Sequence, residues 1–141
     1  MKYILLSLFF LLTGYDQQTE TMELEITVTN INTLKGSIKI GIFNNPITFL
    51  EAGTEYKKYS KNVTNDTIIF NLTGLKQDFY AISIYHDINS DNECNLNFLG
   101  VPIEPYGFSK NHRPKLFKAS FDDCKINAHQ NMSVMIELAK Y

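Results

Sequence analysis

Apolar and polar side chains alternate along five stretches of the chain, and a period of two residues is typical of half-buried β-strands. The stretches are residues 24–28, 38–42, 68–72, 80–84 and 132–138. The first two are separated by Lys35-Gly36, so they predict an opening hairpin. The third and fourth flank a turn over residues 73–78 and predict a second hairpin. The last predicts the final strand of the domain.

Weaker patterns complete the predicted secondary structure. Asn45-Pro46 offers a helix cap and a first helical residue, which predicts a short helix over residues 47–51. Residues 119–126 predict a weak strand. Residues 87–118 read as one long loop, and loops of that length are usually functional or internally braced. About seven strands with little helix predict an all-β fold, a single antiparallel two-sheet β-sandwich.

The N-terminus has the residue order of a signal peptide. Lys2 precedes an apolar run over residues 3–12, which is shorter than the about 20 residues of a membrane span. We therefore expect residues 1–20 to be a signal peptide with a short linker, and residues 21–141 to be one domain that is exported to the periplasm or secreted. Tyr15 stands where a lipoprotein signal needs Cys, so no lipid anchor is expected there. An uncleaved N-terminal tether is the alternative.

The composition of the chain limits the classes of partner that it can bind, and its two cysteines raise the question of a disulfide. The chain has 13 Lys and Arg residues against 15 Asp and Glu residues, with no basic stripe between aromatics, so nucleic-acid binding is not expected. No segment after the leader predicts a membrane span. Export would place Cys94 and Cys124 under oxidising conditions. They predict either a disulfide or two unrelated small core residues.

An oxygen-bearing side chain stands at every second position after His86. These residues are Asp87, Asn89, Asp91, Glu93 and Asn95. The spacing matches the first half of a calcium loop, since Ca²⁺ takes about six to eight oxygen ligands. Asn92 stands where an EF-hand has glycine, and Phe98 stands where it has a bidentate Glu, which rejects an EF-hand. Two interpretations remain: a loop braced by calcium, and an Asx-rich turn that caps its own backbone amides.

The same region carries the most specific motifs of the chain. His86-Asp87-x-Asn89 is followed by residues 97–109, which fit N-F-L-G-V-P-x-E-x-Y-G-F-S, and residues 36–43 fit G-x-I-x-I-x-I-F. With these motifs the chain resembles the bacterial family labelled domain of unknown function 2141 over residues 24–138. The resemblance implies an exported β-sandwich of unassigned activity.

Two further comparisons qualify that resemblance. Residues 70–89 are similar to prealbumin-like modules of bacterial surface proteins, some of which bind calcium in such loops, which implies a prealbumin-like sandwich. Members of the resembled family tend to have glycines where this chain has Ser90 and Asn92. That departure weighs against a calcium geometry.

Catalytic candidates centre on His86. It falls on the same predicted strand face as Tyr80, Ile82 and Ile84, and a structural His bonded to a carbonyl or carboxylate is one interpretation. The other is a small hydrolase or lyase in which His86 acts as general base with Asp87, Asp91 or Glu104. A metal site with His112 lacks ligand spacing, and Ser109 lacks the flanking pattern of a hydrolase nucleophile.

The aromatic residues that follow predict either a binding surface or a packed lid. Tyr106, Phe108 and Asn111 are the candidate ligand-binding residues, and the alternative is a lid whose rings pack downward. The sequence therefore favours an exported, non-catalytic module that binds a cell-envelope protein, peptide or glycan through residues 87–112. A hydrolase or lyase at His86 is the second hypothesis.

Overall fold

The computed structural model describes residues 20–115 and 118–140, and the regular secondary structure of this part of the chain is almost entirely β-strand. The strands are β1 (Thr21–Thr29), β2 (Ser37–Phe43), β3 (Lys57–Asn62), β4 (Ile68–Lys76), β5 (Asp78–Asp87), β6 (Tyr106–Phe108), β7 (Ile126–Ala128) and β8 (Met132–Glu137). One short helix, α1 (Phe121–Cys124), precedes β7, and a 3₁₀ turn (Ser109–Asn111) follows β6. The predicted leader lies outside the described residues.

The strands form two sheets that face each other. A three-stranded sheet has the order β4-β1-β8, and a five-stranded sheet has the order β3-β2-β5-β6, with β7 pairing to the start of β5. All neighbours are antiparallel except β1 and β8, which run parallel. The two-sheet sandwich predicted from the sequence is confirmed, with this one parallel pair added.

The main core lies between the sheets and follows from the alternation of the strands. Leu24, Ile26 and Val28 of β1 face Ile38, Ile40 and Ile42 of β2, and every one of these side chains is buried. Each fully buried aliphatic side chain stabilises the fold by about 1.5–3 kcal/mol. Strands with this period can turn only one face inward, so the alternation fixes which residues form the core.

A second apolar cluster covers the other face of the five-stranded sheet. Its buried members are Phe43, Phe49, Ala81, Tyr106, Phe108, Ala119, Phe121 and Cys124. Rings of Phe49 and Phe121 meet edge to face with centroids 5.9 Å apart. β5 is therefore buried on both faces, because α1 and the turn that carries Phe49 supply a partial third layer over this sheet.

Both predicted hairpins are wrong. β1 and β2 belong to different sheets, and so do β4 and β5, although Gln77 alone separates the latter pair. In each case the chain crosses between sheets, and β1 pairs with β4 instead. Alternation identified the strands and their inward faces, but two strands that face one core from opposite sides have the same alternation as a hairpin.

Three local predictions are also corrected. Residues 47–51 form a turn, in which Asn45 Oδ1 accepts from the Ile47 amide and Leu50 has φ 66°. Residues 119–126 contain α1, which begins after the N-cap Ser120, and only Ile126 belongs to a strand. The loop over residues 87–118 includes the buried strand β6 and the 3₁₀ turn.

Candidate functional site

Asp87, the last residue of β5, holds the base of the long loop. Its carboxylate is fully buried and accepts hydrogen bonds from the backbone amides of Asp91 (3.2 Å) and Asn92 (3.1 Å). The ammonium of Lys39 lies 3.8 Å from the same carboxylate. A buried carboxylate needs such partners, because removing it from water unpaired is costly. The residue predicted as the first calcium ligand therefore caps the turn that follows it.

The next oxygen-bearing side chains hydrogen-bond to one another. The Asn89 and Asn95 amides donate to Asp91 Oδ2 at 2.7 and 2.9 Å, and Asp91 Oδ1 accepts from the Glu93 backbone amide at 2.9 Å. These bonds, that from Asn95 first, lower the pKa of Asp91 below its ordinary value. The described residues contain no group of three or more His, Cys, Asp or Glu side chains arranged to hold a metal. In this structure the residues predicted as calcium ligands form the hydrogen bonds of an Asx-rich turn.

The turn has a left-handed backbone at the two positions where the resembled family tends to have glycine. Ser90 has φ 62° and Asn92 has φ 65°. Glycine adopts this region without strain, and Asn tolerates it better than most residues. The loop of this chain therefore keeps a backbone that suits glycine while carrying side chains there. Asn92 also accepts from Lys39 Nζ at 2.7 Å, which joins the loop to β2.

His86 is fully buried between the sheets. Its Nε2 lies 2.7 Å from the Lys35 carbonyl, so Nε2 carries the proton and donates it, and its backbone amide donates to the Pro105 carbonyl at 2.8 Å. Within the part of the chain that is described, Nδ1 has no hydrogen-bond partner. A general base must reach substrate. With no ring nitrogen open to solvent, the geometry gives the predicted hydrolase or lyase no accessible base.

Glu104 is the second buried carboxylate under the loop. Its Oε1 accepts from the Ile88 backbone amide at 3.0 Å, and its side chain is almost completely buried. Glu104 thus caps the backbone immediately after Asp87. Of the three candidate catalytic carboxylates, Asp87 and Glu104 are buried at the loop base, where backbone amides donate to Asp87 and to Glu104 Oε1.

The aromatic residues after the loop are a lid. Tyr106 and Phe108 are buried in β6, their rings meet edge to face at 5.7 Å, and both belong to the second apolar cluster. Of the two interpretations of these residues, the structure has the packed lid, and Tyr106 and Phe108 do not form an exposed aromatic platform. The pairing of β6 with β5 and the cluster beneath it hold these rings inward, which burial of large aromatic area favours.

The 3₁₀ turn fastens this lid on both sides. The Ser109 hydroxyl accepts from the Ile82 backbone amide and donates to the Cys124 carbonyl, so it joins β5 to α1 as a structural brace. Asn111 donates to the Met135 carbonyl and accepts from the Glu137 amide at 2.8 Å. The Asn111 side chain, which was predicted to bind a ligand, instead forms hydrogen bonds with the backbone of β8.

The remaining candidate side chains are not brought together. Cys94 lies exposed in the loop and Cys124 lies buried on α1, and the structure has both thiols free, without the disulfide that was one of the two alternatives. His112 Nε2 is 3.8 Å from Asp123 Oδ2, on the α1 side of the molecule, whereas His86 lies between the sheets. The two histidines do not form a metal site.

The most exposed feature of the loop is a segment that sequence reasoning did not single out. Residues 96–103, which we call the apolar tip, contain no charged side chain. Phe98 is 95% exposed and Leu99 is 71% exposed, and Leu96 and Ile103 are also more than half exposed. Burying such side chains is favourable, so their exposure in a folded region is informative.

Hydrogen bonds give the apolar tip a defined shape. Leu96 and Pro102 form an isolated antiparallel bridge, the Asn97 amide donates to the Val101 carbonyl (2.8 Å), and Asn97 Oδ1 accepts from the Leu99 and Val101 amides. Gly100 closes the turn by donating to the Asn97 carbonyl at 2.9 Å. Phe98 and Leu99 are the two central residues of this turn. A run of apolar residues between turn-forming Asn and Gly was the signal available in the sequence.

Comparisons with known proteins bear on the whole chain. A family model described as an uncharacterized protein conserved in bacteria (DUF2141) matches residues 26–136. No curated protein and no solved structure matches the chain. Among the described residues, no helix is long and apolar enough to cross a membrane.

Proposed function

Because the chain belongs to the DUF2141 family, whose description assigns no activity, we propose a function from its geometry: it is an exported, non-catalytic module that binds a partner through residues 87–112. The apolar tip is the observation that carries this proposal. The tip places Phe98 and Leu99 at the corner of a hydrogen-bonded turn, with both side chains in solvent. Exposed apolar patches on a folded protein mark interaction sites.

The hydrogen bonds that define the shape of the tip favour a role in binding over an apolar loop that is merely tolerated on the surface. The turn is closed by backbone bonds and by Asn97, and its base is held by the network of Asp87 and Asp91. A preorganised anchor loses less entropy when it binds than a mobile one does. Large apolar side chains that enter a pocket commonly dominate the binding energy.

A comparison of three proteins tests the proposal. The wild-type chain, the double variant Phe98→Ser with Leu99→Ser, and the control Ile47→Ser are immobilised and exposed to an envelope extract of the native host. Ile47 is 86% exposed but lies at the opposite end of the five-stranded sheet. We expect the double variant alone to lose captured protein about tenfold, as the loss of a binding anchor does. Equal capture by all three would refute the proposal.

Export is the part of the proposal that rests on the sequence, whereas calcium bracing of the loop, the other expectation from the sequence, is not carried into the proposal. Export is supported by the signal-peptide order of residues 1–20, and detection of the mature chain outside the cytoplasm tests it. Calcium bracing would draw on the exposed carboxylates of Asp91 and Glu93 and on the partly exposed Asn95. The Asp87 carboxylate already accepts hydrogen bonds from two backbone amides, so calcium binding would require the turn to rearrange.

A further inference from the structure

The charges around the apolar tip indicate what kind of partner binds it. We infer that the tip inserts into an apolar pocket of a partner protein whose rim carries basic side chains. This inference rests on the proposed function and adds the chemistry of the partner. Its first support is shape, since a turn that projects Phe98 and Leu99 from its corner fits a concave pocket better than a flat surface.

The second support is the negative charge beside the tip. Residues 87–109 contain the four carboxylates Asp87, Asp91, Glu93 and Glu104 and no Lys or Arg. Lys39 approaches Asp87 and offsets that charge, but Asp91 and Glu93 are exposed. Basic side chains around a partner's pocket would complement these charges, guide the encounter and disfavour acidic partners.

Hydrogen bonds through Asn95 connect one of these carboxylates, that of Asp91, to the base of the tip. The Asn95 amide donates to Asp91 Oδ2 at 2.9 Å, while the Asn95 carbonyl accepts from the Ile103 amide at 2.9 Å. Asn95 thus connects the carboxylate directly to the closing end of the tip. The hydrogen bonds on Asp91 keep its pKa low, so it stays ionised at neutral pH. A pocket that receives Phe98 must therefore accommodate a negative charge at its rim.

The same charges argue against a lipid surface as the occupant. Peripheral insertion of an apolar loop is strengthened by basic residues, which are attracted to anionic headgroups. The tip has none, and the exposed charges next to it are acidic. We therefore treat lipid as an outcome that the test must be able to detect.

Site-specific photocrosslinking of the full chain in its native host tests the inference. Benzoylphenylalanine replaces Leu99 in one protein and Ile47 in the control, and irradiated cells are analysed for adducts. In the Leu99-labelled protein, two charge reversals are compared, Glu93→Lys beside the tip and Glu51→Lys near Ile47. Both change the net charge equally. We expect a protein adduct at position 99, an at least threefold lower yield with E93K, and an unchanged yield with E51K.

The outcomes separate the two proposals. A crosslinked partner peptide with Lys or Arg beside apolar residues, together with the loss in E93K, supports the inference. A protein adduct that E93K leaves unchanged would keep the proposed function and reject the basic rim. Adducts with lipid, or binding of the chain to phosphatidylethanolamine and phosphatidylglycerol vesicles, would overturn a protein pocket. No adduct above the Ile47 control would reject both proposals. Equal thermal midpoints confirm that every variant is folded.

Discussion

At the base of the loop, the backbone around Gly36 approaches the end of β5 closely, and this limits which residues fit there. Gly36 has φ 69°, and a Cβ atom built on it would lie 1.9 Å from the Asp87 carbonyl oxygen. The neighbouring Lys35 carbonyl accepts from His86, so this short turn presses against the end of β5. A side chain at position 36 has no space without moving the strand that carries Asp87.

Gly36→Ala should therefore destabilise the protein far more than Gly74→Ala. Gly74 has nearly the same φ, 68°, but open space around its Cβ position. We expect a loss in unfolding free energy of about 1 kcal/mol for Gly74→Ala and about 3 kcal/mol or more for Gly36→Ala. Urea denaturation of the two variants measures the difference. Similar losses would show that the turn moves away from Asp87 at little cost.

The two thiols should react at very different rates in the folded protein. Desolvation and the Glu104 charge raise the pKa of Cys94 to about 11, and burial raises the pKa of Cys124 to about 12. The thiolate is the reactive form. A disulfide reagent should label exposed Cys94 slowly at neutral pH, with a rate that rises about tenfold for each unit of pH increase up to its pKa, because the thiolate fraction rises in the same way. Cys124 should be labelled only after unfolding. Mass spectrometry that finds one oxidised pair and no labelling would contradict two free thiols.

Among the elements, α1 covers the outer face of the five-stranded sheet at β5 and makes it a buried face. α1 has four residues, too few to be stable alone, so its capping and packing have to supply its stability. Ser120 and Asp123 form a capping box at its start, and Phe121 and Cys124 enter the second apolar cluster. The lid is thus held by one cap at α1 and by the Ser109 hydroxyl between α1 and β5.

The cap should make part of the stability depend on pH. The Ser120 hydroxyl, first among its causes, lowers the pKa of Asp123 below the ordinary 3.8. A carboxyl with a depressed pKa stabilises the fold above its unfolded pKa, and the effect is lost as the pH falls through the folded value. We expect the stability difference between wild type and Asp123→Asn to be constant above about pH 5 and to disappear near pH 2. Asp66→Asn, an exposed substitution elsewhere, serves as the control.

The 87–95 turn makes a direct prediction about calcium. Because Asp87 and Asp91 already accept hydrogen bonds from the turn, we expect the thermal midpoint to be the same in EDTA and in millimolar calcium. A ligand that binds only the folded state at a hundredfold excess over its Kd would add about 2.7 kcal/mol. A calcium-dependent rise that Asp91→Asn abolishes would contradict this expectation and establish the loop as a metal site.

For the whole molecule, stability and the proposed binding surface are located in different places. The core lies between the sheets and beneath the lid, whereas the tip projects from the Asp87 end of β5. Function can therefore be altered without unfolding the protein, which makes the proposed binding experiments interpretable.

Replacement of Phe by Ser should change the free energy of unfolding far less at the tip than in the lid. We expect Phe98→Ser to change the free energy of unfolding by no more than about 0.5 kcal/mol, because Phe98 is almost fully exposed. Phe108→Ser should cost about 3 kcal/mol or more, since Phe108 is buried in the second cluster. Chemical denaturation measures both. A large loss for Phe98→Ser would mean that the tip packs on the domain and is not free to bind.

The candidate site was only partly predictable, for reasons that differ between residues. His86 and Asp87 could be placed at a strand end from alternation, but only the folded structure shows that the Lys35 carbonyl accepts from His86 Nε2 and that the amides of Asp91 and Asn92 donate to the Asp87 carboxylate. The exposure of Phe98 was not predictable, because an apolar residue in a sequence gives no information on whether a partner segment of the chain covers it.

By itself, the sequence determined the all-β class and the inward faces of the five alternating strands β1, β2, β4, β5 and β8, because the two-residue period of a strand is a local property that burial enforces at each position. It also located the loop after Asp87, because the periodic pattern stops there. It did not give β3 or β6, which lack that pattern or are too short to show it. Only the tertiary structure decided which strands pair, that β1 lies parallel to β8, and that Tyr106 and Phe108 face inward while Phe98 faces solvent. Those choices depend on contacts between residues far apart in the chain, and local patterns are the same for either arrangement.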